Sequence, residues 1–186
     1  MTPYPSAPTA THMLQTFDSQ LENLHALTLD LLHLTLSRLE SALKALSSKN
    51  CELALNIIAS SPQIYQLART MDSEILNVLA RQQPLAGDLR MVIAMTRITT
   101  ELEKINSEIC DIAHLILTVF EPRLGGFNHE VPLKIATMGQ ALETMLKKLL
   151  TAFWKRRTQP AYALLANSTD YETQLQTCIQ EQLGIA

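Results

Sequence analysis

Apolar residues recur along the start of the chain at steps that are almost all three or four: Leu14, Phe17, Leu21, Leu24, Leu27, Leu31, Leu32, Leu36, Leu39, Leu43 and Leu46. This period predicts a long helix over about 12–48 with one apolar stripe, and Asp30, Arg38 and Glu40 on the opposite, polar face. Ser47 to Asn50 breaks the pattern. A second helix is predicted over about 51–81, carried by Leu53, Ile57, Ile58, Ile64, Leu67, Met71, Ile75 and Leu79. Pro62 falls inside it, either as a kink or as the first helical residue after a serine cap. A third helix spans about 88–120, between Gln83-Pro84-Leu85-Ala86-Gly87 and the Pro122 to Gly126 stop. Fourth and fifth helices are predicted over about 131–156 and 158–183.

Composition agrees with an all-α chain. Only five glycines occur and the first is Gly87, which argues against a turn-rich β architecture. Aromatic residues make up 5 %, so the core must be aliphatic. The segment 1–12 is proline-rich, uncharged and without an apolar run, and is expected to be a disordered arm rather than a targeting signal.

A weak internal echo is present. Leu43-Lys44-Ala45-Leu46 matches Leu150-Thr151-Ala152-Phe153, an offset of 107 residues, and Ala54 falls on Ala161 at the same offset. The fourth and fifth helices therefore read as a second copy of the first two. A copy of the third would fall beyond Ala186, so the pattern describes one three-helix unit, 13–121, followed by an incomplete unit of two helices, 127–186.

The formal net charge of −3 gives no reason to expect nucleic acid as a partner. Cys51, Cys110 and Cys178 are odd in number and far apart, which fits a reducing cytosol better than a disulfide scaffold. Between Val131 and Pro160 the balance reverses: Lys134, Lys147, Lys148, Lys155, Arg156 and Arg157 face the single acid Glu143. Lys147, Lys148, Lys155, Arg156 and Arg157 are a candidate docking patch for an acidic protein surface or anionic lipid, or else a solvated helix end complementing the dipole. Glu101, Glu103, Glu108 and Asp111 form an acidic stretch with Lys104 as its only base. Asp88 sits where a first-turn acid complements the helix dipole. Acid–histidine pairs occur at Glu22/His25, Asp30/His33 and Asp111/His114, but the two later helices offer no matching pairs for a di-iron bundle. Trp154 is expected to fill a core or an interface. Neither a Ser-His-Asp order nor a phosphate-cradling glycine loop nor a Cys/His cluster is present, so nothing in the sequence supports an enzyme.

Gln83-Pro84-x-Ala86-x-Asp88-Leu89-Arg90 resembles the segment RQPxAxDLR that opens the third helix in the PhoU family, and Ile98 to Ser107 resembles that family's IxxDLERIGD helix. The resemblance runs from Phe17 to Leu183 and is most specific from Gln83 to Ser107. It implies tandem three-helix bundles and an adaptor that represses phosphate uptake and phosphate-starvation signalling. The implied partners are a phosphate-transporter ATPase and a sensor histidine kinase at the inner membrane face. Separately, the incomplete second unit is expected to leave an apolar groove where a sixth helix would pack, filled by self-association into a homodimer. Gln83, Asp88, Arg90, Glu101 and Glu103 carry the motif. The family's metal site, for a divalent cation or iron, retains only Glu101 and Glu103 here; Ser107 and Ser61 stand where acids are expected. A metal-binding bundle and a purely structural oligomer are the alternatives left open.

Overall fold

The computed structural model describes residues 10–82, 84–120 and 133–183, and every element among them is helical. Helix α1 (Ala10–Ser48) is the central post; α2 (Cys51–Ala59) and α3 (Ser61–Gln82) return beside it. Helix α4 (Ala86–Phe120) runs up again, followed by α5 (Leu133–Trp154), α6 (Gln159–Ala166) and α7 (Ser168–Leu183). The expected arm over residues 1–9 lies outside the described residues, and α1 begins at Ala10.

Directions follow from side-chain rungs. Thr35 pairs with Asn106 and Arg38 with Cys110, so α1 and α4 are parallel. Gln20 pairs with Gln82 while Arg38 reaches Ser61, so α3 is antiparallel to α1. Glu40 meets Lys147 and His25 meets Phe153, so α5 is antiparallel as well.

The stripe on α1 that faces its neighbours is buried at Leu24, Thr28, Leu31, Thr35, Arg38, Ala42 and Ala45, alternating steps of four and three. On α4 the matching stripe is Val92, Met95, Thr99, Leu102, Asn106, Ile109, Ala113 and Ile116. Small residues at Ala42, Ala45, Ala54 and Ala113 let the backbones approach at one end, while Leu24, Met71, Val78 and Met95 fill the other. Truncating a fully buried member such as Leu31 to alanine costs about 2–5 kcal/mol.

Two predicted helices are each broken in two. Ser60 ends α2 and Pro62 sits in the first turn of α3, because proline has no N–H to continue the ladder. The fifth predicted helix breaks at Asn167, which caps α6 before α7. Ser60 and Asn167 stand 107 residues apart, the offset of the sequence echo. Arg38 also departs from its expected place. It is only 4 % exposed, because its position continues the Leu31–Thr35 stripe instead of the polar face.

Candidate functional site

The approach to α4 is a tight turn. Pro84 is buried, Ala86 takes a left-handed φ of 43°, and the Asp88 N–H donates to the Leu85 carbonyl at 3.1 Å. Asp88 stands exposed in the first turn of α4, where a carboxylate complements the helix dipole, and Arg90 is exposed one residue beyond Leu89. Gln83 lies outside the described residues.

Farther along α4, Glu101 is exposed and ion-paired with Lys104 at 2.9 Å, Glu103 is half-buried, and Ser107 is exposed. Between them Asn106 points inward, donating to Thr35 Oγ1 at 2.7 Å and to the Leu102 carbonyl at 2.8 Å.

Ser61 is drawn into a cluster that sequence reasoning missed. Arg38 Nη1 donates to the Ile57 carbonyl at 2.8 Å and to Ser60 Oγ. Arg38 Nη2 donates to Ser61 Oγ at 3.1 Å and to Cys110 Sγ at 3.0 Å, and Ser61 and Cys110 are 2.8 Å apart. The guanidinium thus ties α1 and α4 to the α2–α3 elbow, satisfying a carbonyl that the break leaves over.

This arrangement does not fit a metal ion. The position where the resemblance expects a ligating acid is a neutral serine held against a buried cation, which repels a second positive charge. Among the described residues no three Asp, Glu, His or Cys side chains converge on one point.

The basic segment divides. Lys147 bridges Glu143 on its own helix and Glu40 on α1, the latter at 2.9 Å, and these carboxylates, Glu143 first, push its ammonium up to about 12. Arg156 pairs with Glu22, whose carboxyl is held below its ordinary value chiefly by that hydrogen bond. Lys148, Lys155 and Arg157 stand exposed. Trp154, expected in a core or an interface, is 69 % exposed, which rules out the core place, because α5 ends there and turns its last side chain outward. His25 Nε2 lies 3.1 Å from the Phe153 carbonyl, and the two rings stack at 4.7 Å.

Beside this contact, α1, α4, α5 and the start of α6 enclose an open cavity of about 400 Å³. Its wall is mostly apolar, with Leu21, Met91, Met95, Ile98 and Leu149 among its residues, and Glu22, His25, Arg156 and Arg157 also line it. No described helix is long and apolar enough to cross a membrane.

Comparison with known proteins adds ancestry to this geometry. Residues 28–116 match the family described as the PhoU domain. Over 171 residues the chain is 28 % identical to the phosphate-specific transport system accessory protein PhoU homolog of Clostridium acetobutylicum, covering 91 % of this chain and 76 % of that protein. The corresponding homolog of Pseudomonas aeruginosa is 25 % identical over 170 residues, covering 91 % and 69 %. The crystal structure of the phosphate transport system regulatory protein PhoU from Streptococcus pneumoniae superposes with a TM-score of 0.80 at 27 % identity, covering 91 % of this chain and 78 % of that one. PhoU from Pseudomonas aeruginosa gives 0.83 at 24 % identity, covering 90 % and 79 %.

Proposed function

We propose that this PhoU-family chain is a phosphate-transport accessory regulator that works by binding other proteins rather than by catalysis. The observation that carries the reading is the similarity to accessory proteins over 91 % of the chain. That span includes the turn at Pro84 and the exposed Asp88 and Arg90 behind it. In this reading the chain restrains phosphate uptake and phosphate-starvation signalling from the cytoplasmic side of the inner membrane. Its partners are a phosphate-transporter ATPase and a sensor histidine kinase.

The surface supports recognition of two kinds. Asp88, Arg90, Glu101 and Glu103 lie along one helix as fixed charges of both signs, suited to register a partner. Lys148, Lys155 and Arg157 supply exposed positive charge near the end of α5, suited to steering toward an acidic surface. Trp154 and Tyr162, each 69 % exposed, give the same end an apolar area for self-association into a dimer.

Co-purification of the full chain with the transporter ATPase and with the kinase from its own cell tests the reading. Capture of either, lost on Asp88→Lys/Arg90→Glu with unchanged helicity, is the expected result. Repeated absence of both partners at native expression would sink it. Sedimentation of the wild type against Trp154→Glu tests the dimer, and a concentration-independent monomer mass would remove it.

A further inference from the structure

The cavity between α1, α4 and α5 is not used by the adaptor reading, and its chemistry is particular. Its wall is almost wholly apolar and its volume, about 400 Å³, lies within the range of small-molecule sites, roughly 300–1,000 Å³. An apolar cavity of about 150 Å³ accepts a benzene ring, so this one has room for a chain of roughly ten carbons. Along α4 it runs only from Met91 to Ile98, roughly 10 Å at 1.5 Å per residue, too short for several anchors of a docked helix. Met91, 38 % exposed, and Met95, buried, both line it. Unbranched thioether side chains adapt to a flexible tail better than branched ones.

The rim fixes the sign of the head group. Arg156 is already engaged by Glu22, so its charge is compensated within the fold. Arg157 lines the same opening and is exposed. Among the described residues that line the cavity this leaves one guanidinium to balance one negative charge, and its planar fork matches a carboxylate in bidentate fashion. A dianionic head would be left half-compensated beside the Glu22 carboxylate.

We propose that this cavity binds a free medium-chain alkyl carboxylate, its tail along Met91, Met95 and Ile98 and its head at Arg157. The site stands independently of the adaptor role, since nothing in it depends on the transporter or the kinase.

The test is an NMR titration of the full chain carrying 13C-methyl methionine. Decanoate, decanol and decyltrimethylammonium are each added below their micellar concentrations. The expected result is a saturable shift of the Met91 and Met95 methyls with decanoate, stronger than with decanol and absent with the cation. Arg157→Gln should weaken decanoate up to about five-fold, the size of an exposed ion pair, and leave decanol unchanged. Ala94→Trp, at an exposed position lining the cavity, should abolish the shifts while helicity is retained. The proposal is overturned if decanoate gives no saturable shift at these methyls. It is equally overturned if the cation binds as well, if Arg157→Gln leaves the preference intact, or if folded Ala94→Trp still binds.

Discussion

Lys49 and Arg156 adopt the same left-handed backbone, φ 52° and 50°, at positions 107 residues apart. Each closes a helix with the same pair of bonds. Lys49 N–H reaches the Leu46 carbonyl and Asn50 N–H the Ala45 carbonyl; Arg156 N–H reaches Phe153 and Arg157 N–H reaches Ala152. The echo of Leu43–Leu46 in Leu150–Phe153 is therefore an echo of helix ends, two paired caps that satisfy the last carbonyls of α1 and α5. A side chain other than glycine costs roughly 1 kcal/mol in this conformation. Lys49→Gly should accordingly be neutral or stabilising by up to about 1 kcal/mol, set against its contact with the Phe120 ring. Lys49→Val should destabilise by more than about 1 kcal/mol, because a β-branched residue fits the left-handed region worst. Urea midpoints of the two variants decide it, and a reversed order would refute the strain argument.

Arg38 offers a sharper case. Its guanidinium is buried, touches no carboxylate among the described residues, and donates to a carbonyl, two hydroxyls and a thiol on three different helices or their junctions. Lysine carries the same charge but cannot span these acceptors with a planar fork. We expect Arg38→Lys to lose about 2–4 kcal/mol, close to the loss for Arg38→Ala, since an unsatisfied buried charge costs as much as the missing bonds gave. Chemical denaturation measures this. Hydrogen exchange should show the loss first around Ser60 and Ser61, and retention of wild-type stability by Arg38→Lys would show the fork to be dispensable.

These two residues also mark where the sequence was readable and where it was not. The stripe through Leu24, Leu31 and Leu39 announced α1, because apolar side chains at steps of three and four have no other use in a chain so poor in glycine. The break at Ser60–Pro62 was visible as a cap and a proline. Its counterpart at Asn167 has a cap residue but no proline, and carrying the Ser60 position forward along the echo points to it. Arg38 was placed on the wet face by residue type, although Leu31, Thr35, Ala42 and Ala45 put its number on the buried stripe. For His25 and Phe153 the contact joins residues 128 apart, and no local pattern marks it. Of the motif residues, Asp88 stands in the first turn of α4 as its place after Pro84 and Gly87 predicts, and Arg90 follows just beyond that turn. The division of the basic segment into Lys147 and Arg156, which hold the fold together, and Lys148, Lys155 and Arg157, which face solvent, needed three dimensions.

The Glu22–Arg156 pair ties α1 to the cap of α5 and should make one pH-dependent contribution. Its hydrogen bond holds the Glu22 carboxyl below the ordinary value of 4.5. A carboxyl depressed in the folded state stabilises above its unfolded pKa, and that stability is lost as pH falls through the folded one. The stability gap between wild type and Glu22→Gln should thus be constant above about pH 5 and close progressively below 4.5. Salt should shrink the gap at neutral pH, since both side chains are more than half exposed. Thermal melts from pH 3 to 7 follow it, and a gap that widened toward low pH would mean the pair is not formed.

Ser61 tests the argument about metal directly. The Arg38 guanidinium lies 3.1 Å from Ser61 Oγ, so an acid introduced there meets a buried cation before it meets any ion from solution. Ser61→Asp should therefore form an ion pair and raise stability by about 1–3 kcal/mol, the range for hydrogen bonds to a charged group. It should not create a metal site, because a carboxylate neutralised by Arg38 offers little to a hard cation and Ser107 still supplies none of the further oxygens required. Metal analysis after dialysis against iron or manganese should find well below one equivalent on both the wild type and Ser61→Asp. Adding Ser107→Asp and Arg38→Met together with Ser61→Asp removes the competing cation and restores the acid pair on α4. Affinity should rise in that triple variant alone, at a cost in stability from the lost Arg38 bonds. Stoichiometric metal on the wild type would show that the guanidinium does not guard this position.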